Sequence, residues 1–221
     1  MKITHWITAL LFPEKCVLCG KILGRGEQDL CRTCRVDMPE CPISRIKHPF
    51  LDSWLAVWYY EGKVRRSILR YKFHGKRHYA AAYARLLAMR LLREERADAD
   101  VITWIPVSEK RLRKRGFDQV ELIARKLSEE LEIPAQPLLW KRRDNPPQSR
   151  ITGRAERRAN VLGAYEAIHL EQLENKRVLL LDDVLTTGST AEECGRVLLT
   201  AGAREVHFAA VAAAGKQNSD R

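Results

Sequence analysis

Two adjacent carboxylates, Asp182 and Asp183, precede a run of small, hydroxyl-rich residues, Thr186-Thr187-Gly188-Ser189-Thr190, with only Val184 and Leu185 between. The two groups suit opposite kinds of ligand atom. A turn of small residues entering a helix lets backbone N–H groups converge on an anion, and the helix dipole adds to the attraction. Serine and threonine hydroxyls add donors. Carboxylates beside such a turn would repel a phosphate, so they make sense holding hydroxyls or a metal instead. A ligand with a phosphate at one end and a vicinal diol a few ångström away satisfies both halves, and a ribose 5-phosphate is such a ligand.

The elements that must position these groups are legible on either side. Val178 to Leu181 are four apolar residues, the pattern of a short strand buried in the middle of a parallel sheet. Ala191 to Ala201 reads as a helix that stops at Gly202. An ordinary strand–loop–helix unit, with Ser189 as the helix cap and Glu192 closing a capping box, is compatible with this order. It leaves the paired aspartates unexplained. The string from Asp182 to Thr190 resembles the binding motif of type I phosphoribosyltransferases for phosphoribosyl pyrophosphate (PRPP). That resemblance implies that Asp182 and Asp183 are the catalytic pair holding the ribose hydroxyls, directly or through Mg²⁺. It gives the 5-phosphate to Thr186, Thr187, Gly188, Ser189 and Thr190.

A second constellation lies near the N-terminus. Cys16-x-x-Cys19 and Cys31-x-x-Cys34 form two pairs, with Gly20 after the first. Four thiolates satisfy tetrahedral Zn²⁺, and each C-x-x-C sets two of them on one tight turn. A module this small buries too little core to fold alone, so a structural zinc would supply much of its folding free energy. Disulfides are disfavoured by the cytoplasmic setting expected below, and a lone redox pair would not explain the second C-x-x-C. Cys41 stays unassigned, and Cys194 reads as a small core residue.

A third feature follows the apolar strand Val101–Ile105, which Pro106 stops. Five of the six residues from Lys110 to Arg115 are basic. This run is bracketed by a strand and by a helix, Asp118 to Glu132, that opens with Asp118 as cap and Glu121 three residues on. It is therefore a connection and not a solvated tail. Ligands of open α/β sheets bind at the carboxyl ends of the strands. The ends at Ile105 and Leu181 would then face one crevice, one bringing cations and the other the carboxylates and the phosphate turn. By the phosphoribosyltransferase resemblance the first of these loops holds pyrophosphate, with Val107, Ser108, Lys110 and Arg111 as its ligands.

The remaining chain supplies scaffold. Trp54–Tyr60 reads as a strand, Gly62–Phe73 as a basic amphipathic helix, and Tyr79–Arg93 as a second helix. Ala135–Trp140 is expected as a third core strand. Arg142–Ser149, with Pro146-Pro147, is expected either as a lid over the site or as a plain surface connection. Arg154–Leu162 returns to helix and Glu205–Ala213 is a last strand. The expected organisation is an N-terminal helix and four-cysteine zinc module over 1–48, an α/β domain over 49–215 with a central parallel sheet flanked by helices, and a polar tail over 216–221. No apolar run approaches membrane-spanning length. The short run Ile7–Phe12 ends at Pro13 without a small-residue cleavage site, so a cytoplasmic protein without membrane insertion is expected.

The ordered set resembles the ComF family of competence-associated phosphoribosyltransferase-like proteins, which includes ComFC. It comprises the four cysteines, Arg115-Gly116-Phe117-Asp118-Gln119, Gln148-Ser149, Arg157, Asn160-Val161, Gly163-Ala164-Tyr165 and the Asp182-Asp183 motif. The likeness covers nearly the whole chain. It implies a zinc finger fused to a type I phosphoribosyltransferase domain, with a role in natural transformation or DNA uptake. Single-stranded DNA and a competence helicase-type protein would be the macromolecular partners. Asp118 departs from the family's usual asparagine and puts a negative charge near the anion site.

Charge is an independent check. The net charge is +11, and the cations cluster: seven basic residues against one acidic lie in 61–78, and seven against two in 141–158. Such clusters suit a heavily anionic small ligand and equally a nucleic-acid strand. Two function classes therefore stand. One is an enzyme in which a nucleophile attacks C1 of PRPP and Mg²⁺-bound pyrophosphate leaves. The other is a non-enzymatic sensor or scaffold of the DNA-uptake machinery that keeps a PRPP pocket. It would grip single-stranded DNA through Arg66, Arg70 and Lys72 and stack bases on Tyr59, Tyr60, Tyr71 or Phe73. Neither a general base nor an acceptor-selecting set is legible.

Overall fold

The computed structural model describes residues 13–38, 40–42, 47–144 and 154–215. The expected helix at 7–12, most of the loop 142–149 and the tail 216–221 lie outside the described residues. The elements are α1 (Arg32–Asp37), β1 (Ser53–Tyr59), α2 (Gly62–Phe73), α3 (Tyr79–Arg93), β2 (Val101–Trp104), α4 (Glu109–Arg115), α5 (Gln119–Leu131), β3 (Leu139–Lys141), α6 (Arg154–Val161), β4 (Tyr165–Ala167), β5 (Arg177–Leu185), α7 (Ser189–Thr200) and β6 (Glu205–Ala213).

Four strands form one parallel sheet in the order β1-β6-β5-β2, so β5 is an inner strand. Its apolar run explains that place, because a strand covered on both faces needs both sets of alternating side chains to be apolar. Leu179 and Leu181 face a core shared with α3, α5 and the side chains of Ile68 and Tyr71 from α2. Val178 and Leu180 face a second core with Cys194 and Leu198 of α7 and with Leu138, Leu139 and Tyr165. Cys16, Val17, Leu18, Leu30, Cys31 and Cys34 belong to the first of these cores, so the cysteine-rich segment packs as part of the sheet's cover.

Three local expectations change. Ala135 makes only a single parallel bridge to Ile102, and the chain then leaves the sheet. Pro137 has no N–H to extend the ladder, and Leu138 N bonds instead to Thr103 Oγ1 at 3.1 Å. Leu139–Lys141 pairs antiparallel with β4 in a separate two-stranded sheet. The basic run is a helix and not a loop: α4 ends where Gly116, at φ 75, takes the left-handed turn that favours glycine. Finally, β5 runs on to Leu185, so both aspartates lie within the strand, and Gly188 rather than Ser189 stands at the cap of α7. With Gly188 at the cap, the third residue on is Ala191 and not Glu192, whose carboxylate bonds His48 and Arg158. Among the described residues no helix is long and apolar enough to cross a membrane.

Candidate functional site

The four sequence-predicted cysteines converge, with their Sγ atoms all within 4.8 Å of one another. Cys19 Sγ lies 3.7 Å from Cys31 Sγ. A tetrahedral ZnS₄ centre with bonds of about 2.3 Å has edges of about 3.8 Å, so the donor set fits structural zinc. Local backbone chemistry shapes it. Gly20, at φ 80, closes the first knuckle and donates to Cys16 O at 2.8 Å. The knuckle is then tied down from α2: Ser67 Oγ donates to Val17 O, and Arg70 Nη2 to Leu18 O at 2.7 Å and Val17 O at 3.3 Å. Arg85 of α3 holds Asp29 through two nitrogens, with Nε–Oδ2 at 2.9 Å. Cys41 is buried apart from this cluster.

The second site lies at the carboxyl ends of β2 and β5, which are neighbours: Trp104 pairs with Leu181, and Ile105 N donates to Leu181 O at 2.9 Å. Side-chain alternation along β5 continues through the acid pair and sends its two members to opposite faces. Asp183 points to the α2 and α5 side and is only 4% exposed. Its Oδ1 is 2.7 Å from Lys72 Nζ, and its Oδ2 accepts from Gln119 Nε2 at 3.1 Å. Gln119 is itself oriented by Arg115 Nη1, 2.7 Å from its Oε1, while its carbonyl accepts from Tyr71 Oη at 2.6 Å. Asp182 points the other way and is part-exposed, its Oδ1 accepting from the Asp183 N–H at 2.7 Å. Burial, and then the charge of Asp183, push the Asp182 carboxyl up to about 8.

Opposite Asp182 stands Lys141 at the end of β3. It donates to Tyr165 Oη at 3.0 Å, and its ammonium is depressed by burial and then by the charge of Arg111. Asp144 lies close by: the Ser108 hydroxyl, and then the charges of Arg111, Lys110 and Lys141, hold its exposed carboxyl below the usual range. Cations from α4 and β3 thus converge on one carboxylate. Asp118 sits behind this loop, its side chain accepting from Val107 N at 3.1 Å, Val120 N at 2.8 Å and Glu121 N at 3.2 Å. Burial nevertheless raises its pKa, against these three amides.

The hydroxyl turn follows the acids. Thr187 Oγ1 lies 3.1 Å from Ser189 Oγ. Gly188 has φ +83, and a Cβ there would lie 2.4 Å from His48 Cε1. His48 reaches the turn from the segment before β1 and bonds Glu192 Oε1 through Nδ1 at 2.9 Å, while Arg158 takes Glu192 Oε2 at 3.0 Å. The site residues read from the sequence therefore stand at two adjacent strand ends. The structure adds Lys72, Gln119, Lys141 and His48 to them. The sequence reads Lys72 as a DNA contact and Gln119 as part of the Arg115–Gln119 string without a role, and neither Lys141 nor His48 lies in a motif.

Comparison with known proteins agrees with this layout. A Phosphoribosyl transferase domain model matches residues 114–221, and a Double zinc ribbon domain model matches residues 7–45. Competence protein F of Haemophilus influenzae is 26% identical over 217 residues, covering 88% of this chain and 95% of its own. The DNA utilization protein YhgH of Escherichia coli K12 is 28% identical over 221 residues, covering 89% and 96%. Competence protein ComFC of Streptococcus pneumoniae is 27% identical over 223 residues, covering 87% and 96%. Among solved structures, purine phosphoribosyltransferase from Pyrococcus horikoshii Ot3 matches 61% of this chain and 73% of its own at 23% identity, with a TM-score of 0.35. Glutamine PRPP amidotransferase from B. subtilis matches 63% and 30% at 24% identity, with a TM-score of 0.41. Over most of its length the chain is thus similar to proteins named for competence and DNA utilization, with a zinc ribbon leading a phosphoribosyl transferase domain.

Proposed function

We propose that the crevice at the ends of β2 and β5 binds PRPP with Mg²⁺. The observation that carries this is the meeting of three groups with complementary chemistry: the acid pair, the hydroxyl turn at the head of α7, and the cations around Asp144. The turn from Thr186 to Thr190 takes the 5-phosphate on backbone N–H groups and hydroxyls. Of the acid pair, Asp182 serves the ribose diol, since both oxygens of Asp183 are taken up within the protein. Val107, Ser108, Lys110 and Arg111, with Lys141 beside them, take the pyrophosphate, where the Asp144 carboxylate now lies. Asp182 would hold Mg²⁺, which would supply charge neutralisation for the leaving pyrophosphate. In transfer, the bond from C1 to pyrophosphate breaks and a bond from C1 to the acceptor forms. The cations then stabilise the departing anion and the Asp182 carboxylate the electron-poor ribose. Calorimetric titration with PRPP, ribose 5-phosphate and pyrophosphate, each with Mg²⁺, tests the assignment. Lys110→Gln with Arg111→Gln should weaken PRPP and pyrophosphate and spare ribose 5-phosphate. No heat of PRPP binding to the wild-type chain would overturn it.

A second reading concerns DNA, the subject of the relatives' names. The trio Arg66, Arg70 and Lys72 does not form its surface, since Arg70 grips the zinc knuckle and Lys72 grips Asp183. A better surface lies nearby. Phe73 is 60% exposed with the Arg115 guanidinium 4.9 Å from its ring centre, and Lys76, Arg77, Arg113 and Lys114 around it are exposed. Exposed aromatic–arginine platforms on a basic face suit single-stranded DNA. Binding there should weaken steeply with salt, and Phe73→Ala with Arg113→Gln and Lys114→Gln should flatten the slope. A slope unchanged in that variant would remove this surface.

A further inference from the structure

The two aspartates of the motif are not equivalent. Both oxygens of Asp183 are committed within the protein, Oδ1 to Lys72 Nζ at 2.7 Å and Oδ2 to Gln119 Nε2 at 3.1 Å. Arg115 on Gln119 Oε1 leaves the Gln119 amide only one way round, with its NH₂ toward Asp183. Among the described residues, Asp182 has a single backbone donor on Oδ1 and keeps Oδ2 for a ligand. We infer that Lys72 is a positioning residue for the acid pair: by taking up Asp183 it leaves Asp182 as the one carboxylate presented to the ribose diol. This rests on the PRPP reading above and divides its acid pair into an anchor and a ligand.

Two adjacent ionised carboxylates at a strand end repel each other, and an anionic ligand must approach them both. Placing the Lys72 ammonium on Asp183, in a pair whose side chains are 17% and 6% exposed, cancels one of those charges. The cancelled charge is on the α2 side of the sheet, away from Lys141 and Tyr165. The other carboxylate remains on the side where the cations converge. Lys72 also fixes the strand end mechanically, because its neighbour Tyr71 bonds the Gln119 carbonyl and α2 cannot slide without breaking both contacts.

The anchor role makes a prediction that a direct ligand role for Lys72 does not. If the ammonium serves only to neutralise and hold Asp183, removing both charges together should leave Asp182 correctly presented. An Asn at 183 still accepts from Gln119, and a Met at 72 fills the stem's volume.

The experiment compares wild type, Lys72→Met, Lys72→Arg and the double variant Lys72→Met/Asp183→Asn. PRPP affinity is measured with Mg²⁺, and the ligand-free structure and melting of each variant are determined beside it. Lys72→Met should turn the acid pair out of place and weaken PRPP by about tenfold or more. Lys72→Arg should keep both near wild type. The double variant should recover affinity to within about threefold. A double variant as weak as Lys72→Met overturns the inference, because Asp183 or Lys72 would then touch the ligand. So does a Lys72→Met variant that melts lower but binds PRPP as wild type does, because the pair would then be only structural. If wild type binds no PRPP, the function reading falls, and the ligand-free structures still decide whether Lys72 holds the two carboxylates in their separate places.

Discussion

The zinc ribbon and the crevice are built in opposite ways. The ribbon's four ligands come from one stretch, Cys16 to Cys34, in which the two C-x-x-C spacings bring the thiols together. The crevice takes side chains from α2, α4, α5, β3, β5 and the head of α7, which only the sheet brings together. A local site is specified by its motif, whereas an assembled one is specified by what holds its parts. Both nevertheless rest on the same core, so damage to either should be read in the whole molecule's stability as well as in its own chemistry.

The largest effect should come from the local site. Cys31→Ser removes a ligand and opens a ribbon that covers the sheet. At about 2–4 °C per kcal/mol for a chain of this size, a loss of about 4 kcal/mol would lower melting by roughly 8–16 °C. Metal analysis together with calorimetry checks it, and zinc-free protein that melts like wild type would separate the two regions. Next comes Gly188→Val, which forces a branched side chain into a left-handed turn against His48. Its cost of about 1–3 kcal/mol should be accompanied by loss of ribose 5-phosphate binding, read by titration. Arg70→Met tests the tie between the regions. It releases the Leu18 carbonyl, leaves Val17 O to Ser67 alone, and should cost about 1–3 kcal/mol while raising the rate at which a chelator strips zinc.

Smaller and of opposite sign is Asp182→Asn. The folded pKa of Asp182 is raised, so the folded state keeps its proton while the unfolded chain releases it near pH 4. Wild-type stability should therefore fall relative to the variant between about pH 4 and pH 8, and the curves should meet below pH 4. Asp182→Asn should be more stable at pH 7 by on the order of 1 kcal/mol, yet bind PRPP poorly, as denaturant melts and titration would show. The smallest net effect belongs to Asp118→Asn, where two changes oppose each other: a buried carboxylate whose pKa burial has raised is removed, but the new NH₂ faces the Val107 N–H while the oxygen keeps the cap on Val120 and Glu121. Melting at pH 7 should stay within about 1 kcal/mol of wild type.

The order of legibility follows the same contrast. Helices Gly62–Phe73 and Tyr79–Arg93 and strand Glu205–Ala213 have the bounds that periodicity and flanking breakers predict. The cysteines and the acid-plus-hydroxyl string are legible because their chemistry lies within a few residues. The excursion at Pro137 is not, since an apolar run does not say which sheet it joins. Nor is the use of α2. Its Arg70 and Lys72 look like any solvated cations of an amphipathic helix, and only the carbonyls of Val17 and Leu18 and the carboxylate of Asp183 give them their tasks. Lys141 and His48 have neighbours more than twenty residues away in sequence, Tyr165 and Glu192, and no local signal could find them.

Helix α2 holds Ser67 and Arg70 against the metal knuckle and, one residue further, Tyr71 against the Gln119 carbonyl and Lys72 against Asp183. A single rigid element in the reference state of two binding equilibria makes them partners in one thermodynamic cycle. By whatever factor a filled ribbon tightens the crevice's grip on its ligand, that ligand must tighten the ribbon's grip on zinc by the same factor. Metal supply and sugar-phosphate supply would then be sensed by the same fold as one combined variable.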